Sequence, residues 1–192
     1  MAKLYSNPWK NKVGLASKVK YLIRNYFYKW LLGKYCKGCK TVLDVACGPG
    51  QFMKVADGMG FKAYGVDADE RHKAKNVIIK DLWKLNSKHD VVFNSMIIEH
   101  MDDQEKFVRK MASLSNSIVI TISTYLSRSF YNVPDHKKPV TKVSVMWMFR
   151  RNGFRSLLSV HIPFYKAVVV VSKKITDKDK DNESLLIKKG FW

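Results

Sequence analysis

Residues 41–50 read T-V-L-D-V-A-C-G-P-G and place a carboxylate shortly before a glycine-rich turn. The residues beside Asp44 are apolar and favour β structure, which is typical of a buried strand, and a carboxylate at that depth needs a partner. Gly48 and Gly50 bracket a proline, so the backbone can turn with no side chain in the way. Apolar residues recur at helical spacing from Gln51 onward. A strand, a glycine-rich turn and a helix predict a crevice for a nucleotide-like ligand at the carboxyl end of a sheet.

The spacing of the glycines distinguishes between classes of nucleotide. A dinucleotide site uses G-x-G-x-x-G to seat a pyrophosphate on a helix N-terminus, but Met53 stands where the last glycine would fall. Asp44 suits a cationic ligand amine better than a phosphate. The stretch L-D-V-A-C-G-P-G is similar to motif I of the class I S-adenosylmethionine-dependent methyltransferases, commonly L-D-x-G-C-G-x-G, with Ala46 in place of the first glycine.

The resemblance covers residues 41–154 and is closest to the small-molecule methyltransferases of the type 11 group. It implies an α/β fold with a doubly wound, mostly parallel, seven-stranded Rossmann-like sheet, a final antiparallel strand and three α/β/α layers. S-adenosyl-L-methionine is the implied cofactor. The resemblance makes Asp44, Ala46, Gly48 and Gly50 its contacts in motif I, with Asp44 holding the amino end of the ligand.

An acid also ends the second predicted strand, K-A-Y-G-V-D, 23 residues after Asp44. A carboxylate there can accept hydrogen bonds from both hydroxyls of a ribose, and Asp67 matches the motif II acid of the family. Ala68 follows it in the predicted cofactor site. Asp69 is the alternative acid, but its position suits the N-cap of a helix over residues 70–76.

A third acid follows the short predicted strand V-I-I-K. In the family the matching acid meets the exocyclic amine of adenine and the next backbone amide meets the ring, so the resemblance gives these roles to Asp81 and Leu82. The alternative is a solvated loop acid. Residues 90–100 predict the central fourth strand and the turn after it, and Asn94 near the carboxyl end of the strand is expected to face the sulfonium.

The Glu-His pair at positions 99 and 100 falls on the family pattern D-x-V-x-x-x-x-V-L-E-H. We interpret Glu99 and His100 as residues that fix the following helix and wall the substrate cavity; that they only cap and pack this helix stays open. His136 lies in a long predicted loop, 124–138, above the carboxyl edge of the sheet, where substrate residues are commonly found. His100 and His136 are the candidate catalytic residues, since a general base is needed when the acceptor is still protonated.

Missing motifs narrow the methyl acceptor. Methylation of exocyclic base amines generally goes with Asp, Asn or Ser, two prolines and an aromatic residue after the fourth strand, where this chain has N-S-M-I. Cytosine C5 methylation needs a cysteine nucleophile, and no cysteine follows Cys47. The Lys-Asp-Lys-Glu set of ribose methylation is not evident. These absences favour a small-molecule or lipid-like acceptor.

The charge distribution favours a different partner. The formal net charge is +19, and residues 1–40 contain ten lysines and arginines and no acidic residue. Residues 18–32 form an amphipathic helical pattern. A basic extension of this kind suits RNA or an anionic membrane surface; the alternatives are a helix laid on the sheet with its lysines in water, and a composition that serves solubility. An RNA methyltransferase and a non-catalytic S-adenosylmethionine-binding module stay open.

We expect three parts in the chain. These are a basic N-terminal extension over residues 1–40, a methyltransferase domain over 41–174 and a charged C-terminal tail over 175–192. No apolar run is long enough to span a membrane and no signal peptide is recognised, which predicts a cytoplasmic protein. No metal site is predicted, because the C-x-x-C at residues 36–39 has no second pair of ligands.

Overall fold

The computed structural model describes residues 15–124, 133–162 and 166–179. Helices and strands alternate along most of this part of the chain. The helices are α1 (Leu15–Tyr35), α2 (Gln51–Asp57), α3 (Gln104–Leu114) and α4 (Lys142–Arg151). The strands are β1 (Thr41–Val45), β2 (Lys62–Asp67), β3 (Val77–Ile79), β4 (His89–Ser95), β5 (Ser115–Thr124), β6 (Phe154–Ile162) and β7 (Ala167–Lys174).

The seven strands form one sheet in the order β3-β2-β1-β4-β5-β7-β6. The first five strands run parallel, and β7 runs antiparallel between β5 and β6. This topology confirms the predicted doubly wound, mostly parallel sheet with a final antiparallel strand. The strand order reverses between β1 and β4, where Asp44 pairs with Phe93. Open α/β sheets bind their ligands at the carboxyl ends of the strands beside such a reversal.

A hydrophobic core covers each face of the sheet. On the first face, α1 and α2 bury an aromatic cluster in which Phe52 stacks on Phe93 with ring centroids 3.6 Å apart, and Tyr28 packs edge-on against both. On the second face, α3 and α4 pack their apolar sides on β4, β5 and β7. Side chains of a strand alternate between the faces, so Asp44 lies on the α1 side, as does Val42. The predicted three layers are therefore present.

Helix α1 packs on the domain mainly through its second half. Tyr28, Leu31 and Leu32 are buried, whereas Leu22 and Tyr26 are 66% and 74% exposed. The interpretation of this helix as one laid on the sheet is therefore correct for its C-terminal turns only. Its N-terminal turns present apolar side chains to solvent.

The segment between β2 and β3 differs from the prediction of a helix over residues 70–76. The carboxylate of Asp69 does accept from the amide of Arg71, but the helix is a single 3-10 turn that ends at His72. Lys73 has left the helical region and Asn76 has a φ of 63°, so the backbone turns into β3 at once.

The outer parts of the chain are described only in part. Residues 1–14 of the predicted extension and 180–192 of the predicted tail lie outside the described residues, and the division into three parts stays a prediction. None of the described helices combines the length and the apolar character needed to cross a membrane.

Gly65 in β2 allows the turn after β1 to press against the sheet. A Cβ atom at this position would lie 2.5 Å from Sδ of Met53 and 2.7 Å from Sγ of Cys47. Replacing Gly65 with alanine is expected to lower the free energy of unfolding by about 1–3 kcal/mol, the usual cost of overpacking. Chemical denaturation of the purified protein measures this change.

Gly33→Ala is the matched control for that substitution. Gly33 lies inside α1, and the nearest atom to a new Cβ is Cε of Met59 at 3.9 Å. The substitution is expected to be neutral or to stabilise the protein by about 0.5–1 kcal/mol. A Gly65→Ala protein with the stability of the wild type would contradict the close contact between the turn and β2.

Candidate active site

A groove of about 430 Å³ opens at the carboxyl ends of β1, β2 and β3. Five of the residues predicted to bind the cofactor line it, namely Ala46, Asp67, Ala68, Asp81 and Leu82. Its other lining residues are Val45, Val66, Ile79, Lys80, Trp83, Ile97 and Met101. The groove combines mostly apolar walls with two carboxylates, which suits an apolar ring that carries hydroxyl and amine donors.

The turn between β1 and α2 has a left-handed backbone at three positions. Ala46, Gly48 and Gly50 have φ angles of 55°, 51° and 72°. Glycine adopts this conformation freely, whereas an alanine there is strained. The amide of Gly50 donates to the carbonyl of Cys47 at 2.9 Å and closes the turn. Neither glycine is among the residues that line the groove. Their contribution is to allow the backbone to follow this turn.

Asp67 at the end of β2 holds this turn in place. Its Oδ2 accepts from the amide of Gly48 at 2.8 Å, and its Oδ1 accepts from the amide of Asp69 at 2.9 Å. Each carboxylate oxygen has two lone-pair sites, so Asp67 can also accept from the hydroxyls of a ribose. The alternative acid, Asp69, is hydrogen-bonded by the guanidinium of Arg71, which lowers the pKa of Asp69 to about 2.

Asp44 is a buried carboxylate beneath the turn. Burial, together with the nearby charge of Asp67, raises the pKa of Asp44 well above its ordinary value of 3.8. Within residues 15–124, 133–162 and 166–179, no hydrogen-bond donor or cation contributes to holding its charge. Such a carboxylate is unfavourable until a cationic or hydrogen-bonding group meets it. Burial, with the charges of Asp44 and Asp67, also raises the pKa of Cys47 to about 12, so that this thiol stays protonated.

Asp81 and Leu82 follow β3 at the outer end of the groove. The carboxylate of Asp81 accepts from the amide of Trp83 at 3.0 Å and starts a 3-10 turn over Leu82–Lys84. Trp83 lines the groove with 40% of its surface exposed, and the ammonium of Lys106 lies 4.9 Å from its ring centroid. The motif resemblance does not predict Trp83 as a residue of the groove. The sequence signal for it is a tryptophan two residues after the acid that follows a strand.

The position of Asn94 corrects the prediction that its side chain faces the cofactor. The side chain is fully buried, and its Nδ2 donates to Oγ1 of Thr121 at 3.0 Å across the β4–β5 pair. Asn94 is two residues after Val92, which packs in the core under α3 and α4, so its side chain points to the face opposite Asp44.

Glu99, His100 and His136 lie close together beside the groove. The ring centroids of the two histidines are 4.8 Å apart. Glu99 is fully buried, and its carboxylate accepts from two residues at the end of β5, while its carbonyl accepts from the amide of Lys137 at 2.9 Å. Glu99 therefore ties the turn after β4 both to β5 and to the segment that carries His136. The catalytic roles of the two histidines stay predictions.

The fold and the groove agree with one family. The family model described as a methyltransferase domain matches residues 17–167 of this chain. The chain belongs to this family of methyltransferase domains. The resemblance to the class I S-adenosylmethionine-dependent methyltransferases is thereby confirmed, with S-adenosylmethionine as the cofactor of the class.

The matches to individual relatives cover only part of the length of each relative. Glycine N-methyltransferase of Homo sapiens is 34% identical over 111 residues, which are 56% of this chain and 35% of the relative. Ubiquinone biosynthesis O-methyltransferase of Pelagibacter ubique (strain HTCC1062) is 25% identical over 113 residues, 50% of this chain and 47% of the relative. The chain thus spans less than half the length of these relatives.

A solved structure matches the fold over most of both chains. It is the magnesium protoporphyrin IX methyltransferase from Synechocystis PCC 6803 with bound SAH, which has a TM-score of 0.66 at 18% sequence identity. The match covers 85% of this chain and 89% of that one. At this identity the likeness concerns the arrangement of strands and helices.

Proposed function

We propose that this protein transfers a methyl group from S-adenosylmethionine to a small-molecule or lipid-like acceptor. The observation that carries the proposal is Asp44, a buried carboxylate with no partner in the described part of the chain, at the strand end next to the groove. An amino acid ammonium is the kind of group that such a carboxylate requires.

Three acids are available for three parts of the cofactor. Asp44 would meet the ammonium of the methionine part, Asp67 the ribose hydroxyls and Asp81 the exocyclic amine of adenine. Leu82 and Trp83 would provide apolar walls for the adenine ring. Asp44 beside the groove and the residues that line it therefore fit a ligand that is cationic at one end and aromatic at the other.

The chemistry requires little of the protein beyond positioning. The sulfonium of the cofactor supplies an activated methyl group. The protein has to hold the acceptor in line with that group and to exclude water. Nδ1 of His100 lies 3.0 Å from the carbonyl of Asp135 and can only donate to it, so in the neutral imidazole Nε2 carries a lone pair. Nε2 is therefore suited to take a proton from an acceptor hydroxyl or amine.

The relatives favour a small acceptor. Their names refer to glycine, to ubiquinone biosynthesis and to magnesium protoporphyrin IX, which are all small molecules or their pathways. Incubating the protein with S-adenosylmethionine labelled in the methyl group tests the proposal. We expect label to enter a small molecule or lipid extract but not RNA. Cofactor binding without transfer to any extract would favour the non-catalytic binding module.

The first turns of α1 support an acceptor that is met at a membrane surface. Leu22 and Ile23 are 66% and 49% exposed, and the neighbouring Lys18, Lys20 and Arg24 are exposed as well. No acidic residue lies in α1. Apolar and basic side chains exposed together suit the boundary between the headgroups and the acyl chains of anionic lipid.

Removing the exposed aliphatic side chains of Leu22 and Ile23 in α1 is expected to weaken vesicle binding. The wild type should sediment with vesicles of phosphatidylcholine and phosphatidylglycerol but not with phosphatidylcholine alone. A Leu22→Ser, Ile23→Ser variant should bind at least about tenfold more weakly, because each buried aliphatic side chain contributes about 1.5–3 kcal/mol.

Val143→Ser provides the control, since Val143 is 50% exposed on α4, under the opposite face of the sheet. We expect this variant to bind vesicles as the wild type does. RNA binding would instead fall steeply with salt and would be insensitive to the aliphatic substitutions. That outcome would favour the RNA methyltransferase.

A further inference from the structure

Glu99, His100 and His136 form a group of three metal-binding side chains, here called the Glu-His-His cluster. One ligand atom from each residue lies within 4.8 Å of the other two. Ligands at 2.0–2.2 Å from a zinc ion are about 3.4 Å apart at tetrahedral angles, so an inward movement of up to about 0.8 Å by each ligand atom would close the cluster around an ion.

Among the residues that the structure describes, no lysine or arginine balances the charge of Glu99 in the cluster. Glu99 is fully buried, and its carboxylate accepts from the hydroxyls of Ser123 and Thr124 and from the amide of Thr124. These donors are neutral, and none of the lysines or arginines in the described ranges forms an ion pair with Glu99. A buried carboxylate is strongly disfavoured without an opposite charge.

The hydrogen bonds around the cluster are those that orient metal ligands. Ligating histidines usually donate their second ring N–H to a carbonyl or carboxylate, and ligating carboxylates are themselves hydrogen-bonded. Nδ1 of His100 donates to the carbonyl of Asp135 at 3.0 Å, which leaves Nε2 as the ligand atom. Within the described part of the chain, Oε2 of Glu99 accepts one hydrogen bond, from Ser123 at 2.9 Å, so it keeps a lone pair for an ion.

We propose that the Glu-His-His cluster binds a divalent transition-metal cation. One carboxylate and two imidazoles suit Zn²⁺, Fe²⁺ or Co²⁺, and three protein ligands leave coordination positions open. The site lies beside the groove, because Ile97 and Met101, which flank the turn, line the groove. This inference replaces the sequence prediction of no metal site.

The open positions suit an oxygen or nitrogen atom of the methyl acceptor; this step alone rests on the proposed function. Nε2 of His100 would then bind the ion and could not also act as a base. The metal-binding role and the base role of His100 are therefore alternatives.

Titration of the metal-free protein with Co²⁺, followed by visible absorption, tests the site. We expect one equivalent to bind, with the d–d bands of a site that has nitrogen and oxygen ligands, and Zn²⁺ to displace it. His136→Ala and Glu99→Gln should each weaken the binding at least about 100-fold, because the first removes a ligand and the second replaces a charged ligand with a neutral amide. His136 is only half-buried, so its variant is expected to fold even if Glu99→Gln does not.

Two control variants separate the cluster from other metal ligands. Cys36→Ser, Cys39→Ser removes the two thiols of the C-x-x-C stretch, and His161→Ala removes a histidine of β6; both variants should bind Co²⁺ as the wild type does. Titration of every variant with S-adenosylmethionine shows whether the cofactor site is intact. An absence of Co²⁺ and Zn²⁺ binding in a protein that binds the cofactor, or metal binding that survives His136→Ala, would overturn the metal site and leave the proposed function standing.

Discussion

Replacing Asp44 with asparagine is expected to lower the affinity for S-adenosylmethionine at least about tenfold, because a hydrogen bond to a charged group contributes about 1.5–3 kcal/mol. The same substitution should raise the melting temperature of the free protein at neutral pH. Replacing a residue that stabilises the fold lowers the stability of the protein. Replacing a residue that binds the ligand at the expense of the fold raises it. Calorimetric titration and thermal unfolding of one protein preparation measure both effects.

The pH dependence of this gain follows from the raised pKa of Asp44. Between its ordinary pKa of 3.8 and the higher pKa in the folded protein, the folded state holds a proton that the unfolded state has released. Stability therefore falls as the pH rises through this range. Asparagine cannot ionise, so the advantage of the Asp44→Asn variant should grow with pH and disappear below about pH 4. A melting temperature lower than that of the wild type at pH 8 would contradict this account.

Asp90→Asn provides a contrasting control in the neighbouring strand. Oδ2 of Asp90 accepts from the amides of Lys40 and Thr41 at 2.8 and 3.0 Å, and these donors lower the pKa of Asp90. Its contribution to stability is present above the ordinary pKa of 3.8 and is lost as the pH falls through the lowered value. The Asp90→Asn protein should thus be less stable at neutral pH and should bind the cofactor normally.

Asp67→Ala is expected to cause the largest loss of cofactor affinity, about 100-fold or more, since we propose that Asp67 accepts two hydrogen bonds from a ribose diol, at about 1.5 kcal/mol or more each. It also frees the amides of Gly48 and Asp69, so the turn after β1 loses the acceptor that fixes it. Titration with S-adenosylhomocysteine measures the loss without the complication of turnover.

Asp69→Ala is the matched control for Asp67. The two acids are two positions apart, but Asp69 is engaged by Arg71 and is not among the residues that line the groove. Its replacement should change the affinity for S-adenosylhomocysteine only slightly. Equal losses in the two variants would show that the ribose is not held by Asp67 in particular.

The acids of the groove were predictable because of the geometry of parallel strands. Carboxyl ends of neighbouring parallel strands meet at one edge of the sheet, so Asp67 and Asp81 had to lie near the turn after β1. The contact of Gly65 with the turn was not predictable, since it depends on how closely the turn approaches β2. Likewise, the face on which Asn94 lies depends on the register of β4 within the sheet.

The features that sequence could not predict depend on the path of the chain between distant segments. His100 and His136 come together because the carbonyl of Glu99 holds the backbone of Lys137. No local pattern records that contact. The spacing in α1 predicted an amphipathic helix, but how much of its apolar side is covered depends on where α2 and the sheet end.

The place of β7 in the sheet affects the order in which the protein can fold. Strand β7 is the last of the seven to be synthesised, yet it lies between β5 and β6. On a growing chain, β6 has no neighbour in the sheet until residues 167–174 emerge, and β5 presents an open edge that invites pairing with other chains. The groove is built from β1, β2 and β3 at the other side of the sheet. During synthesis, the half of the sheet that carries the ligand groove can therefore be complete while the other half still needs protection from aggregation.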